Sequence, residues 1–223
     1  LEMLASSIHP SDLGLINGSY GRLKDLPAVA GREGVGKVVA LGSGIPDELL
    51  GKLASLPEDF GAWRQFSLAK EDELILLPSL VPPEQLALAL LNPMTAWRLL
   101  NDFEYLNPGD FVIQNAANSA VGCSIIQFAS RLGAEVINLV RREELRPPLK
   151  ELGAKNVILD DDDAPEKVAE ITDGAKCKLA LNSVGGRSAL RLAKCLVRGG
   201  VHVTFGAMTG DPVRFPTRQL IFD

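Results

Sequence analysis

From residue 111 onward the chain alternates short apolar runs with stretches whose apolar positions recur at helical spacing, the pattern of repeated strand-helix units on a parallel sheet. Strands are predicted at 111–115, 135–140, 156–159, 178–182 and 201–205, each apolar enough to be buried on both faces. Helices are predicted between them at 121–132, 143–152, 165–172 and 186–197. The first is the clearest. Val121, Ile125, Phe128, Ala129 and Leu132 share one face, and Gly133 supplies the C-terminal stop. Strand, helix and strand at this spacing close by a right-handed crossover, which gives a doubly wound α/β fold with its ligand crevice at the carboxyl ends of the strands.

Upstream of the turn Asn107-Pro108-Gly109-Asp110 the pattern changes. Residues 1–86 are rich in Gly and Pro, with β-type runs at 36–41 and 74–77, and read as an irregular β-rich domain or part of one. Residues 87–223 read as a second domain, built on the parallel sheet. Residues 85–100 are expected as one helix, or as two broken at Asn92-Pro93, because Pro93 cannot sit inside an undistorted helix.

Composition narrows the function classes. With 46% hydrophobic and 23% charged residues and no low-complexity tract, a folded domain is expected. The formal charge of −5 and the scattered basic residues offer no surface for nucleic acid. The longest apolar run, residues 86–91, is far short of the roughly 20 residues of a membrane helix, so no membrane partner is expected. Cys123, Cys177 and Cys195 have no CxxC spacing and read as reduced, buried thiols of an intracellular protein. The N-terminus shows no secretory pattern, although the chain begins at Leu1 and not at methionine, which leaves room for a removed targeting segment.

The chemistry concentrates at strand ends. The segment Phe111-Val112-Ile113-Gln114-Asn115-Ala116-Ala117-Asn118-Ser119-Ala120-Val121-Gly122 is a strand, turn and helix start, where free N–H groups and the helix dipole can hold a pyrophosphate. Only Gly122 remains of the usual three glycines, so the pattern alone leaves an ordinary α/β turn open. Arg141 and Arg142 follow the second strand, about 20 residues on, where NAD-dependent proteins place an acidic residue. A guanidinium there suits a 2′-phosphate, and a solvated surface pair is the bland alternative. The fourth and fifth strands end in Asn182-Ser183-Val184-Gly185-Gly186 and Thr204-Phe205-Gly206-Ala207-Met208, where glycines allow a flat ring to approach the backbone.

With those residues in view, the chain resembles the quinone-oxidoreductase branch of the medium-chain dehydrogenases/reductases, and within it the NADPH-dependent 2-enoyl thioester reductases of mitochondrial type. The matching stretches include Ile8-His9-Pro10-Ser11-Asp12-Leu13, Asn17-Gly18-Ser19-Tyr20-Gly21, Asn92-Pro93-Met94-Thr95-Ala96, the Gln114–Gly122 turn and Phe205-Gly206-Ala207-Met208. The resemblance implies a GroES-like catalytic domain joined to a Rossmann domain. It implies NADPH as cofactor and a trans-2-enoyl thioester of coenzyme A or acyl carrier protein as substrate, reduced to the saturated thioester. It further implies Tyr20 as proton donor and Asn92 at the nicotinamide or substrate junction. Asn118, Ser119, Ala120 and Val121 would form the pyrophosphate turn, and Arg141 and Arg142 would take the 2′-phosphate. Phe205, Gly206, Ala207 and Met208 would pass beside the nicotinamide half. A homodimer is implied, as is a fragment of a longer protein located in the mitochondrial matrix or a bacterial cytoplasm.

Zinc relatives of the fold hold their metal with Cys and His. Here Gly31-Arg32-Glu33-Gly34 has Arg where a ligand His would lie, and no cysteine precedes Cys123, so no metal is expected. His9 is expected in a turn or cleft and His202 in the core. Residues 43–57 lack the Pro-Gly-Asp that leads into a strand in relatives, which puts the substrate-side loop in doubt. Two other readings stay open from sequence: an NADPH:quinone or enone reductase, and a non-catalytic NADPH-binding sensor.

Overall fold

The computed structural model describes all residues except Arg22, Glu58, Asp59 and Asp223. The chain divides into two compact units, Leu1–Leu91 and Asn92–Asp223.

The first unit contains β1 (Glu2–Ser6), α1 (Pro10–Ile16), β2 (Gly34–Lys37), β3 (Leu53–Ser55), β4 (Ile75–Leu77) and α2 (Pro83–Leu86). Its strands form one antiparallel sheet in sequential order, with Met3 opposite Gly36, Gly36 opposite Ala54 and Ala54 opposite Leu76. The core is small: Val35, Leu86 and Ala87 are buried, with Ala5, Leu53, Leu77 and Val81 packed on them. Long-range polar bonds supplement it. Trp63 Nε1 donates to Ser7 O at 2.9 Å, and Met3 N donates to Gln65 O at 2.8 Å. The run expected at 36–41 is a strand only over Gly34–Lys37, and β3 pairs with β2 without the Pro-Gly-Asp lead-in.

The second unit is built on five parallel strands, β5 (Phe111–Gln114), β6 (Glu135–Val140), β7 (Asn156–Leu159), β8 (Cys177–Asn182) and β9 (Leu196–Thr204). Their order is β7-β6-β5-β8-β9. The chain therefore reverses direction across the sheet between β5 and β8, the switch point at which a doubly wound sheet opens its crevice. The helices are α3 (Leu91–Asn101), α4 (Ala120–Leu132), α5 (Arg146–Glu151), α6 (Ala164–Ile171), α7 (Gly186–Lys194) and α8 (Thr217–Phe222). Ile113, Ile137, Leu139, Ile158 and Ala180 are buried with Leu192, while Val112, Val136, Leu179 and Leu181 are buried with Ile125 and Ala129 of α4. Both faces of the sheet are covered, which is why its strands read as apolar runs.

Three expectations need correction. The break in residues 85–100 comes before Asn92-Pro93: α2 ends at Leu86 and α3 starts at Leu91. Pro93 lies in the first turn of α3, where its missing N–H has no helical acceptor to serve. The helix expected to reach residue 197 ends at Lys194, and β9 begins at Leu196 rather than at Val201. Gly199, at φ +74°, lets that strand absorb an irregularity in register and pair with Cys177 as well as with Leu179. His202 is only partly buried on β9, where it meets the Phe215 ring edge-on at 5.0 Å.

Candidate functional site

At the end of β5 the backbone turns sharply. Ala116 adopts φ +46°, a left-handed conformation uncommon for a residue with a side chain. Ser119 then caps α4: its Oγ accepts Gly122 N at 3.1 Å and its carbonyl accepts Cys123 N at 2.8 Å. The N–H groups of Ala120 and Val121 make no hydrogen bond among the described residues and stand at the positive end of a 13-residue helix. Gly122 is required by contact. A Cβ there would lie 2.5 Å from Ala117 O, so α4 packs against the turn more closely than any side chain permits. The one glycine kept in the eroded fingerprint is the one the packing needs.

The turn is tied to its neighbours on both sides. Ala117 N donates to Leu139 O at 3.2 Å, which joins it to the carboxyl end of β6. Arg141 and Arg142 follow that end directly. Both are exposed, and neither guanidinium is held in an ion pair among the described residues. On the other side Asn115, 2% exposed, donates from Nδ2 to Asn182 Oδ1 at 2.7 Å and to Ser188 Oγ at 2.8 Å. Its Oδ1 accepts Ser183 N at 2.8 Å. Asn182 in turn accepts Gly185 N at 3.0 Å and donates to Thr204 Oγ1 at 3.1 Å. Ser188 Oγ donates to Asp160 Oδ2 at 2.5 Å, and Arg191 pairs with Asp160 at 3.0 Å. A second buried amide pair lies below: Gln114 Nε2 reaches Asn138 Oδ1 at 2.7 Å and Gly122 O at 3.1 Å.

The loop after β9 folds back on the loop after β8. Phe205 N donates to Asn182 O at 2.9 Å, Met208 N to Ser183 O at 3.0 Å and Thr209 N to Val184 O at 3.1 Å. A Cβ on Gly206 would stand 3.0 Å from Ser183 O. The structure thus gathers Asn118, Ser119, Ala120, Val121, Arg141, Arg142 and the Phe205, Gly206, Ala207 and Met208 loop at the carboxyl ends of β5, β6 and β9. Asn92 lies in the first turn of α3, 9% exposed, with its Nδ2 lacking a partner.

Tyr20 belongs to the first unit. It is 43% exposed, and its ring rests on α1 where Gly14 leaves space. A Cβ on Gly14 would come within 2.8 Å of Tyr20 Cβ. Arg32 Nη1 donates to the phenol oxygen at 3.1 Å, and the guanidinium carbon lies 5.3 Å from the ring centroid. Nearby is a buried polar cluster. His9 Nε2 lies 2.8 Å from Ser7 Oγ and 3.0 Å from Glu33 Oε1, Glu33 Oε2 accepts Leu91 N at 2.7 Å, and Asp12 Oδ2 accepts His9 N at 2.7 Å. Among the described residues no three His, Cys, Asp or Glu side chains gather as metal ligands.

Sequence reasoning missed the Asn115-Asn182-Ser188-Asp160 network and the contact of Arg32 with Tyr20. Polar residues ending otherwise apolar strands were a usable signal for the first. Nothing local announces the second. Cys177 and Cys195 lie away from the turn, whereas Cys123 borders it, its Sγ 3.9 Å from Ala117 O; burial pushes Cys195 up to about 12 and also raises Cys177 and Cys123.

Residues 1–79 match the alcohol dehydrogenase GroES-like domain, and residues 120–223 match the zinc-binding dehydrogenase family. The human mitochondrial enoyl-[acyl-carrier-protein] reductase is 44% identical over the whole chain, and the chain spans 61% of its length. The Dictyostelium discoideum protein of the same name is 42% identical, with 65% of its length covered. Among solved structures, a mitochondrial 2-enoyl thioester reductase heterodimer from Candida tropicalis superposes with a TM-score of 0.90 at 30% identity, over 99% of this chain and 70% of that one. A quinone oxidoreductase from Pseudomonas syringae gives 0.84 at 29% identity, over 99% and 68%. No helix among the described residues is long and apolar enough to cross a membrane. The chain belongs to the medium-chain dehydrogenase/reductase family, in the branch of the mitochondrial 2-enoyl thioester reductases.

Proposed function

We propose that the protein reduces trans-2-enoyl thioesters, carried on coenzyme A or acyl carrier protein, to saturated acyl thioesters at the expense of NADPH. The observation that carries this reading is the turn at 115–122, with Gly122 seated on Ala117 O, N–H groups of Ala120 and Val121 that are open among the described residues, and the guanidinium groups of Arg141 and Arg142, in no ion pair among the described residues, one strand away. That arrangement fits a dinucleotide with an extra phosphate. Ala120 N and Val121 N would hold its pyrophosphate, and Arg141 and Arg142 would take its 2′-phosphate. A solved complex of a related reductase with NADP and crotonyl-CoA supports the same pair of ligands.

When bound, NADPH supplies the hydride that adds to the β-carbon of the enoyl group. The chain's own part is the proton. Tyr20 gives its hydroxyl hydrogen to the α-carbon as the enolate collapses, a role open to a phenol that is neutral at pH 7. Asn92, whose buried Nδ2 has no partner among the described residues, would hold the nicotinamide amide or the thioester carbonyl. The mitochondrial relatives support a place in mitochondrial fatty acid synthesis, and the heterodimeric neighbour supports assembly as a dimer.

The experiment is NADPH oxidation by the complete protein with crotonyl-CoA set against a quinone. Turnover of crotonyl-CoA, slowed in Tyr20→Phe while NADPH affinity stays the same, is the expected result; turnover of the quinone alone would favour the reductase reading that the Pseudomonas syringae neighbour supports. NADPH binding with no turnover of either substrate would leave a sensor. Arg141→Ala should weaken NADPH, and not NADH, by about 1.5 to 3 kcal/mol, the worth of one hydrogen bond to a charged group. An unchanged preference in cofactor titrations would return the arginine pair to the surface.

A further inference from the structure

We propose that Arg32 is a positioning residue for Tyr20, fixing the direction in which the phenol can give its proton; this rests on the role assigned to Tyr20 above. A phenol oxygen has one hydrogen to donate and lone pairs with which to accept. Arg32 Nη1 occupies the oxygen as a donor at 3.1 Å. Arginine has only donors to offer, so the hydroxyl hydrogen cannot turn toward it and is directed elsewhere. A neutral neighbour with both a donor and an acceptor would allow the opposite arrangement, with the proton spent inside the protein.

The two side chains are held so that this bond is reproducible. Gly14 lets α1 back the Tyr20 Cβ, and Ser19 N donates to Gly14 O at 2.9 Å just before it. Arg32 follows Gly31, whose φ of +91° and contact with Trp63 fix the chain: a Cβ on Gly31 would lie 2.4 Å from Trp63 Cδ1. Ala62 N donates to Gly31 O at 2.9 Å, and buried Glu33 anchors the next position. Arg32 also lines a mostly apolar cavity of about 360 Å³ together with Leu15, Leu23 and Val29. The Arg32 carbon lies 5.3 Å from the ring centroid, so the cation also restrains the plane of the ring. When the proton leaves for the α-carbon, the negative charge appears on an oxygen that already accepts a bond from a cation.

The test is a double-mutant cycle in the complete protein, read as kcat for crotonyl-CoA reduction with NADPH binding followed separately by fluorescence. Arg32→Met is expected to lower kcat roughly tenfold to a hundredfold, the span of a lost hydrogen bond to a charged group, with NADPH affinity unchanged. Arg32→Lys restores part of that loss. In the Tyr20→Phe background Arg32→Met costs nothing further, because there is no hydroxyl left to direct. The solvent isotope effect on kcat rises in Arg32→Met, since proton delivery becomes the slower event. Equal losses in both backgrounds, or an unchanged isotope effect, would overturn the proposal and make Arg32 a structural residue. Wild-type kcat in Tyr20→Phe would instead overturn the role of Tyr20 on which it rests. If Arg32→Met does not fold, Arg32→Lys and Arg32→Gln complete the cycle, with the same outcomes deciding it.

Discussion

The two units present their functional groups in different chemical currency. In Asn92–Asp223 the site residues lie at the ends of parallel strands, and most of what they offer is backbone: open N–H groups on Ala120 and Val121, and a loop at Phe205 and Met208 stitched to Ser183. In Leu1–Leu91 the strands are three to five residues long and the offered groups are side chains, Tyr20 with Arg32 above all. The difference has a physical cause. A sheet covered on both faces fixes backbone geometry mainly by burial, with the buried Asn115-Asn182 amides tying its strand ends, whereas a small antiparallel sheet with little buried apolar area depends on specific polar contacts to hold a side chain in place. Damage to either unit should therefore look different.

The largest expected effect tests this in the first unit. Glu33 accepts from Leu91 N and meets His9 Nε2 in a site where Glu33 is 5% and His9 8% exposed. Glu33→Ala removes the buried carboxylate that accepts Leu91 N and faces His9 Nε2, which keeps Ser7 Oγ at 2.8 Å, and at about 1.5 to 3 kcal/mol for a hydrogen bond to a charged group the loss is about 2 to 3 kcal/mol. Chemical denaturation measures it. Glu33→Gln keeps one acceptor and should lose distinctly less. Equal stability of the two variants would mean that the small core, and not the polar cluster, holds this unit.

The corresponding probe in the second unit is Gly122→Ala. The new Cβ would meet Ala117 O at 2.5 Å, and neither the turn nor α4 can move freely, because Gln114 Nε2 holds Gly122 O and Ala117 N is bonded to β6. Overpacking of this kind costs about 2 kcal/mol, and opening the turn should weaken NADPH binding at the same time. The sharper observable is that coupling: stability and cofactor affinity fall together here, while Glu33→Ala leaves affinity for NADPH unchanged once the protein is folded. A Gly122→Ala protein that binds NADPH normally would separate the turn from the cofactor.

The same contrast explains what could be read from the chain beforehand. All five parallel strands and the helices between them followed from apolar runs and spacing, because each strand is buried by its own helices nearby in sequence. The errors fell where a local pattern met a distant partner. Leu196 and Val197 continue a helical spacing but pair with β8, and Pro93 looks like a helix breaker until its place in a first turn is known. In the first unit the decisive contacts join residues far apart, Ser7 with Trp63 and His9 with Glu33, and no window of sequence contains both. The turn at 115–122 was legible through Gly122, and the proposed phosphate-binding pair through the place of Arg141 and Arg142 just after β6. The role proposed for Tyr20 rests on family resemblance, and the sequence marks Arg32 only as standing where a zinc-ligating His would lie.

The smallest effect closes the comparison from the regular side. Lys178 Nζ lies 2.7 Å from Asp110 Oδ2 at the amino ends of β5 and β8, and this bond, aided by Asn107 N and opposed by burial, holds the Asp110 carboxyl below its usual range. A carboxylate whose pKa is depressed in the folded state contributes stability above its unfolded value of about 4 and loses that contribution as pH falls through the folded value. Asp110→Asn should therefore cost under about 1 kcal/mol at pH 7, since both side chains are partly exposed and the pair is screened. The gap from wild type should close as the pH drops below about 4 toward the lower folded pKa. NADPH affinity should not change, because the pair sits at the opposite end of the strands from the turn. Urea titrations at pH 7 and at pH 3 measure the difference; a loss of several kcal/mol at pH 7, or one that persists at pH 3, would mean that side-chain bonds matter as much to the doubly wound unit as to its irregular neighbour.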